Sequence, residues 1–263
     1  MTDLNRYGPW ALIVGASEGV GSAFARRLAA DGFGVVLAAR NAERLEAVAG
    51  EVQALGAPSR TVALDILDED AAERLIDATA DLEIGLLVMN AGANTYGHSF
   101  VDGDLARHNE VVTLNVLRQL PLLHHYTRAM VERGRGGVIT TGSVAGYTGS
   151  PREGAYAASK AFLRVFTEGL WVECKPKNVD VVHLVLGLTR TPAMERRGLN
   201  FDNPGIPVSE PDDVAAEGLA HLADGPVWIT ENNVRSVQRQ SGPDRAAIVQ
   251  ASADVIAKVV GQR

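Results

Sequence analysis

A single cysteine, Cys174, in 263 residues rules out an intrachain disulfide and any cysteine-cluster metal site, and its setting reads as a buried helix position. Long apolar runs are missing as well. None approaches the roughly 20 residues of a membrane span, and the opening residues carry no basic-then-apolar leader pattern, so a cytoplasmic location is expected. Positive charge is in deficit: a formal net charge of −7 offers no basic stripe to displace counterions from phosphates, which argues against a nucleic-acid partner. A linker and an internal repeat are also lacking. Glycine and proline are scattered at turn-like places, so residues 1–263 read as a single domain, with ample core material at 46% hydrophobic residues.

The six histidines, His98, His108, His124, His125, His183 and His221, show no metal-ligand spacing. The adjacent pair His124 and His125 points to different helix faces. Surface or core roles account for all six, and no metal is expected.

What the chain does contain is alternation. Short apolar runs at Trp10–Val14, Gly34–Ala39, Thr61–Leu64, Leu86–Met89, Val138–Thr141, Val179–Val185 and Val227–Ile229 are separated by helix-period stretches. Among these stretches are Ala42–Leu55, Asp70–Ala80, a long region through Met130, about Asp212–Leu222 and a last helix at about Asp244–Val260. Runs that are apolar throughout imply strands buried on both faces, hence an α/β fold: a doubly wound, seven-stranded parallel sheet with helices on both sides and an extra C-terminal helix. Ligands of such sheets collect at the carboxyl ends of the strands.

The polar residues of interest fall there. Gly15, Gly19 and Gly21 follow the first strand, where glycine permits a tight turn and close approach of a pyrophosphate to the free N–H groups of the next helix. Arg40 ends the second strand, 19 residues beyond Gly21, where an acidic residue would grip a ribose diol; an arginine attracts a 2′-phosphate instead and points to NADP(H). Glu18, inside the turn, weakens that argument slightly. Asp65 follows the third strand as a candidate acceptor for an adenine amino group, and Asn90-Ala91-Gly92 follows the fourth. Asn115 is an amide among apolar neighbours in a helical stretch, where it is expected to disturb the ladder locally and hold a water. Tyr156 and Lys160 lie four apart, on one helix face, with Ser143 thirteen residues before the tyrosine. A phenol beside a fixed ammonium is expected to titrate nearer neutrality, making Tyr156 a candidate general acid/base.

Together these motifs resemble the short-chain dehydrogenase/reductase family along nearly the whole chain, most of all its hydroxysteroid-dehydrogenase-like and uncharacterised bacterial oxidoreductase branches. The resemblance implies a Rossmann fold and a catalytic set of Asn115, Ser143, Tyr156 and Lys160. It implies NADP(H) contacts from Gly15, Ser17, Glu18, Gly19, Val20, Gly21, Arg40, Asp65, Ile66, Asn90, Ala91, Gly92, Tyr156, Lys160, Gly187, Thr189 and Thr191. The segment Leu186-Gly187-Leu188-Thr189-Arg190-Thr191 lacks the family's proline but keeps the glycine and the last threonine, which is expected to reach a carboxamide. The activity implied is hydride transfer between a carbonyl and a secondary alcohol.

Substrate contacts are expected from Ser143, Tyr147, Tyr156 and Met194. Residues 192–208 form the natural lid, where Met194, Leu199, Phe201 and Ile206 suggest an apolar pocket for a hydrophobic ketone. Arg152, Arg196 and Arg197 read as solvated charge. Residues from about 230 to 263 form a C-terminal extension in place of the glycine-rich ending of many members. A homo-oligomer is expected, a dimer through the Tyr156 helix and the helix before it ahead of a tetramer. Three other readings compete. A serine hydrolase fails on the missing glycine two residues before Ser143. An NADP-binding sensor without turnover, and an epimerase or dehydratase on the same fold, remain alternatives.

Overall fold

The apolar runs form strands whose neighbouring residues are buried on opposite faces. The computed structural model describes residues 1–199, 201, 202 and 206–260. Its elements are, in order, α1 (Leu4–Tyr7), β1 (Trp10–Val14), α2 (Gly19–Ala30), β2 (Gly34–Ala39), α3 (Ala42–Ala54), β3 (Ser59–Ala63), α4 (Ala71–Asp77), β4 (Ile84–Met89), α5 (Leu105–Val112), α6 (Leu120–Arg133), β5 (Gly136–Thr141), α7 (Gly154–Cys174), β6 (Val179–Val185), β7 (Leu188–Thr189), α8 (Pro192–Arg196), β8 (Val208–Ser209), α9 (Pro211–Ala220), β9 (Val227–Ile229), α10 (Val234–Gln240) and α11 (Arg245–Val260). Side-chain chemistry sets several of the boundaries. Asn41 caps α3 by accepting from Arg44 N, Asp104 caps α5 by accepting from Ala106 N, and α6 stops at Gly134 in the left-handed region.

Seven strands make one parallel sheet in the order β3-β2-β1-β4-β5-β6-β9. Leu12 and Ile13, Val36 and Leu37, Leu87 and Val88, and Val138 and Ile139 are each fully buried although successive strand residues face opposite ways. One face packs on Phe24 and Leu28 of α2, Leu45 of α3 and Val214 of α9. The other packs on Leu75 of α4, Leu122 and Met130 of α6, and Leu163 of α7. Each such side chain stabilises the fold by about 1.5–3 kcal/mol, so the two covered faces, rather than the half-exposed edges β3 and β9, hold the sheet. Cys174 is buried where α7 ends. No helix among the described residues is long and apolar enough to cross a membrane.

Strand order reverses between β1 and β4, which opens a crevice at their carboxyl ends. Thr113–Leu117, between α5 and α6, widens into a π-helical turn. Asn115 accounts for it: its Nδ2 donates to Val111 O at 2.8 Å and to Ala93 O at 2.9 Å, occupying a carbonyl of the preceding turn. Three features have no counterpart in the sequence reading. β7 and β8 pair in parallel and close the base of the segment between them, α8 forms within that segment, and α10 forms in the polar stretch after β9. Pro204 and Gly205 of the expected lid lie outside the described residues.

Candidate active site

Close approach, more than flexibility, explains the three glycines. A Cβ on Gly15 (φ +91°) would stand 2.8 Å from Ala91 N, one on Gly19 (φ +58°) 2.9 Å from Thr191 Cγ2, and one on Gly21 2.0 Å from Gly15 O. Asn90 Nδ2 donates to Gly15 O at 2.9 Å, so the fourth-strand motif is tied directly to the glycine turn. Glu18 precedes α2 without a side-chain capping bond, leaving the first-turn N–H groups directed at the crevice. Such a backbone cradle, with no side chain in the way, fits the pyrophosphate of a dinucleotide. Beside it lies a hollow of about 360 Å³ lined by Ser17, Glu18, Gly19, Arg44 and Pro192. Val20 and Ile66 point into the core, which leaves their backbones for any contact.

Glu18 is not the bare negative charge its position suggested. Arg196 of α8 binds both its oxygens, at 2.5 and 3.0 Å, and Arg44 of α3 binds Oε2 at 2.6 Å. Neither partner was foreseen, because they lie 26 and 178 residues away in sequence. Arg40 stands 70% exposed at the end of β2, its Nη1 3.7 Å from Asp65 Oδ2, so the two expected adenosine-side residues are adjacent.

Across the crevice, Lys160 is 3% exposed and its Nζ donates to Thr141 O at 2.9 Å. Burial holds its ammonium down at about 8. Asn115 is fully buried, and its Oδ1 has no hydrogen-bond partner among the described residues. A Cβ on Gly92 would stand 2.6 Å from that oxygen and 3.2 Å from Lys160 Nζ, so amide, ammonium and Gly92 share one small space. Gln119, missed in the sequence, supports this loop by donating to Ala91 O at 2.7 Å.

Ser143 accepts from Ala145 N at 3.2 Å, and it stands close enough to Tyr156 to pull the phenol's pKa down. Lys160 Nζ lies 5.8 Å from the centre of the Tyr156 ring, on the expected side of the helix. The expectation of a lowered phenol is corrected here. Burial pushes the Tyr156 hydroxyl above its ordinary value, Ser143 pulls it down, Glu153 pushes it up and Arg197 pulls it down. The ammonium is itself desolvated and engaged with Thr141, which limits its help.

After β6, Gly187 is required by contact: a Cβ there would stand 2.0 Å from Asn233 Oδ1. Thr189 Oγ1 donates to Gly187 O at 3.3 Å, and Thr191 caps α8 by accepting from Met194 N at 3.3 Å while its methyl faces Gly19. Met194 is partly buried on α8. Tyr147 sits in a short 3-10 turn under the Arg164 guanidinium, 4.9 Å from its ring centre, and its carbonyl accepts from Arg245 of α11. One of the six histidines, His183, is a core side chain. His183 Nδ1 lies 2.8 Å from Thr140 Oγ1, and its ring fills the space a Cβ on Gly142 would need. Among the described residues Ser143 bonds Ala145 and not the histidine a hydrolase would require. No group of three acidic, histidine or cysteine side chains able to hold a metal occurs among the described residues.

A second concavity lies away from this chemistry. It is an apolar groove of about 1070 Å³ between the outer faces of α6 and α7, and Tyr156 is not part of its wall.

Comparison with known proteins meets the same picture. A family model described as short chain dehydrogenase matches residues 9–200. A 7beta-hydroxysteroid dehydrogenase of Clostridium sardiniense is 34% identical over 246 residues, spanning 93% of this chain and 94% of that protein. A solved structure reported for insights into 7beta-hydroxysteroid dehydrogenase stereoselectivity superposes with a TM-score of 0.86 at 31% identity, covering 95% of this chain and 99% of the other. A short-chain dehydrogenase from Sphingobium yanoikuyae in complex with NADPH gives a TM-score of 0.78 at 27% identity, covering 97% and 98%. With its glycine cradle, Asn90-Ala91-Gly92 and Tyr156–Lys160 pair set around one crevice, the chain belongs to the short-chain dehydrogenase family, oxidoreductases that work with a nicotinamide cofactor.

Proposed function

We propose that this chain is an NADP(H)-dependent oxidoreductase that interconverts a bulky apolar ketone and its secondary alcohol, with Tyr156 as general acid/base. The observation that carries the reading is the buried Lys160, held by Thr141 O and set 5.8 Å from the centre of the Tyr156 ring on the same helix face, with Ser143 close enough to ease loss of the phenol's proton. Bound NADPH would supply the hydride. A carbonyl oxygen entering between the two hydroxyls accepts a hydrogen bond from Ser143 and, as charge builds on it, the proton of Tyr156. Lys160 is held in place by Thr141 O and faces the side where ribose hydroxyls would lie. Unpartnered Asn115 Oδ1 is placed to accept from a water beside Lys160, extending a proton route inward. Arg40 supports a 2′-phosphate, and the two guanidiniums on Glu18 remove the objection its charge raised.

Residues 192–208 serve as the lid in this reading, with Met194 and Tyr147 toward the substrate. The hydroxysteroid dehydrogenase relatives make 7-oxosteroids the first ketones to assay. A dimer through α6 and α7 accompanies it: Phe162 and Val165, 45% and 57% exposed, border an apolar groove that the described residues leave uncovered.

Purified protein should reduce 7-oxosteroids or other bulky ketones with NADPH in preference to NADH. Tyr156→Phe should lower kcat/KM by about a hundredfold to ten-thousandfold with NADPH affinity intact. Arg40→Ala should weaken use of NADPH by about tenfold to a hundredfold and leave NADH unchanged. Tight NADPH binding with no oxidation across a broad carbonyl panel would point to a sensor instead.

A further inference from the structure

Thr140, Thr167 and His183 are each fully buried, and no step of the proposed mechanism uses them. They come from β5, α7 and β6, the elements that deliver Ser143, the Tyr156–Lys160 pair and Gly187 to the crevice. Thr167 Oγ1 donates to Leu163 O at 2.7 Å, so its one proton is committed, and across the 2.9 Å contact with Thr140 it is Thr140 that donates. The Thr140 proton is then committed too. Its oxygen accepts from His183 Nδ1 at 2.8 Å, so Nδ1 carries the hydrogen of an imidazole that burial keeps neutral. Nε2 is left as a bare lone pair, buried and without a hydrogen-bond partner among the described residues.

That edge of the ring meets the backbone just after β5. His183 pairs with Thr140 in the sheet, and residue 142, two positions on, faces the same way. A Cβ on Gly142 would stand 2.2 Å from Nε2, 2.8 Å from Cδ2 and 2.9 Å from Cε1, so the ring lies against the bare Cα. The peptide ahead of that Cα is held on both sides: Thr141 O accepts from Lys160 Nζ at 2.9 Å, and Gly142 N donates to Leu184 O at 2.7 Å. Val144 N donates to Leu186 O at 2.8 Å, which fixes the Ser143 backbone between two rungs.

We infer that His183 is a positioning residue: its ring, held in one tautomer by Thr140 and Thr167, is the stop against which Gly142 rests, and it sets where Ser143 and the anchor of Lys160 stand. The inference rests on Ser143 and Lys160 serving the reaction proposed above. Glycine at 142 and histidine at 183 form one steric pair, so bulk added to one requires bulk removed from the other. A shift of the Thr141–Gly142 peptide would move the hydroxyl and the ammonium together, and a misplacement of about 1 Å costs on the order of a hundredfold in rate.

The test exchanges bulk across the pair. Gly142→Ala, His183→Asn and the double variant are compared with wild type in kcat and KM for ketone reduction with NADPH, in NADPH affinity and in urea midpoint. Asparagine still donates to Thr140 but does not extend to the place of Nε2. Gly142→Ala should lower kcat about tenfold to a hundredfold, and His183→Asn about threefold to tenfold, with KM and NADPH affinity within about twofold. The double variant should return to within about threefold of wild type, because the new methyl takes the vacated space. A purely structural role would move the urea midpoint and leave kcat of the folded protein alone. Wild-type kcat in Gly142→Ala, or a double variant no faster than that single one, would overturn the inference. If Gly142→Ala does not fold, His183→Asn decides alone, and an unchanged kcat overturns it. Nitrogen NMR of the imidazole should show a protonated Nδ1 and a bare Nε2; the opposite tautomer breaks the donor chain and the inference with it. A wild type that reduces no carbonyl would sink the oxidoreductase reading, while crystal structures would still decide this one. Thr141 O and Ser143 displaced in Gly142→Ala and restored in the double variant would uphold it, and their staying in place would overturn it.

Discussion

His183 shows at the residue scale how a buried polar group is made tolerable. It is fully buried in β6, bonded through Nδ1 to Thr140 Oγ1, which in turn meets Thr167 Oγ1 at 2.9 Å. Burial, together with the charges of Lys160 and Arg164, lowers its pKa to about 3. The unfolded chain takes up that proton near 6.5, so the unfolded state binds more protons between those two values. Stability from the neutral imidazole is complete above about 6.5 and is lost as pH falls toward 3. His183→Gln keeps a polar partner for Thr140 and cannot titrate. Its urea midpoint should fall less than that of wild type over this acid range, the difference growing to on the order of 3–5 kcal/mol. The same ring explains Gly142: any larger residue before Ser143 would collide with the imidazole, 2.2 Å from the added Cβ.

Between elements, the Glu18–Arg196 pair joins the glycine turn to α8, and Thr191 packs its methyl on Gly19 from the same segment. Exposed ion pairs contribute at most about 1 kcal/mol, so Arg196→Ala should leave the thermal midpoint nearly unchanged. Its effect belongs to the segment: NADPH should dissociate about two- to fivefold faster in stopped-flow fluorescence, through weaker closure over the turn. Elements differed in how far they could be read in the sequence. β2 was legible to the residue because an unbroken apolar run bounded by polar turns admits little else, and β6 because its valines and leucine are interrupted only by Asp180 and His183. The β7–β8 pair was not, since two-residue strands carry no period, and α10 was hidden because Val237 alone among its residues is buried. Asn115 announced its π-turn as an amide in an apolar stretch. The upward push on Tyr156 and the partners of Glu18 were invisible, because burial and ion pairing there are tertiary facts.

At the scale of the molecule, the α6–α7 groove is the surface the proposed dimer would use. Val165→Glu places a charge on that apolar wall, and desolvating it should weaken a dimer about a hundredfold or more, read as a shift to monomer in light scattering with NADPH binding kept. The chain's far end matters just as much. Asn233 is 2% exposed, bonded through Nδ2 to Thr230 Oγ1, and fills the space that a side chain on residue 187 would need; Asn232 reaches Ser209 at 2.9 Å, and Arg245 reaches the carbonyl of Tyr147. Asn232, Asn233 and Arg245 therefore act as a keystone beneath the turn after β6 and its neighbours. A shortened chain ending near residue 230 would keep Asn115, Ser143, Tyr156 and Lys160 and yet lose the support under Gly187, so the proposed active site leans on residues well past its own signature positions.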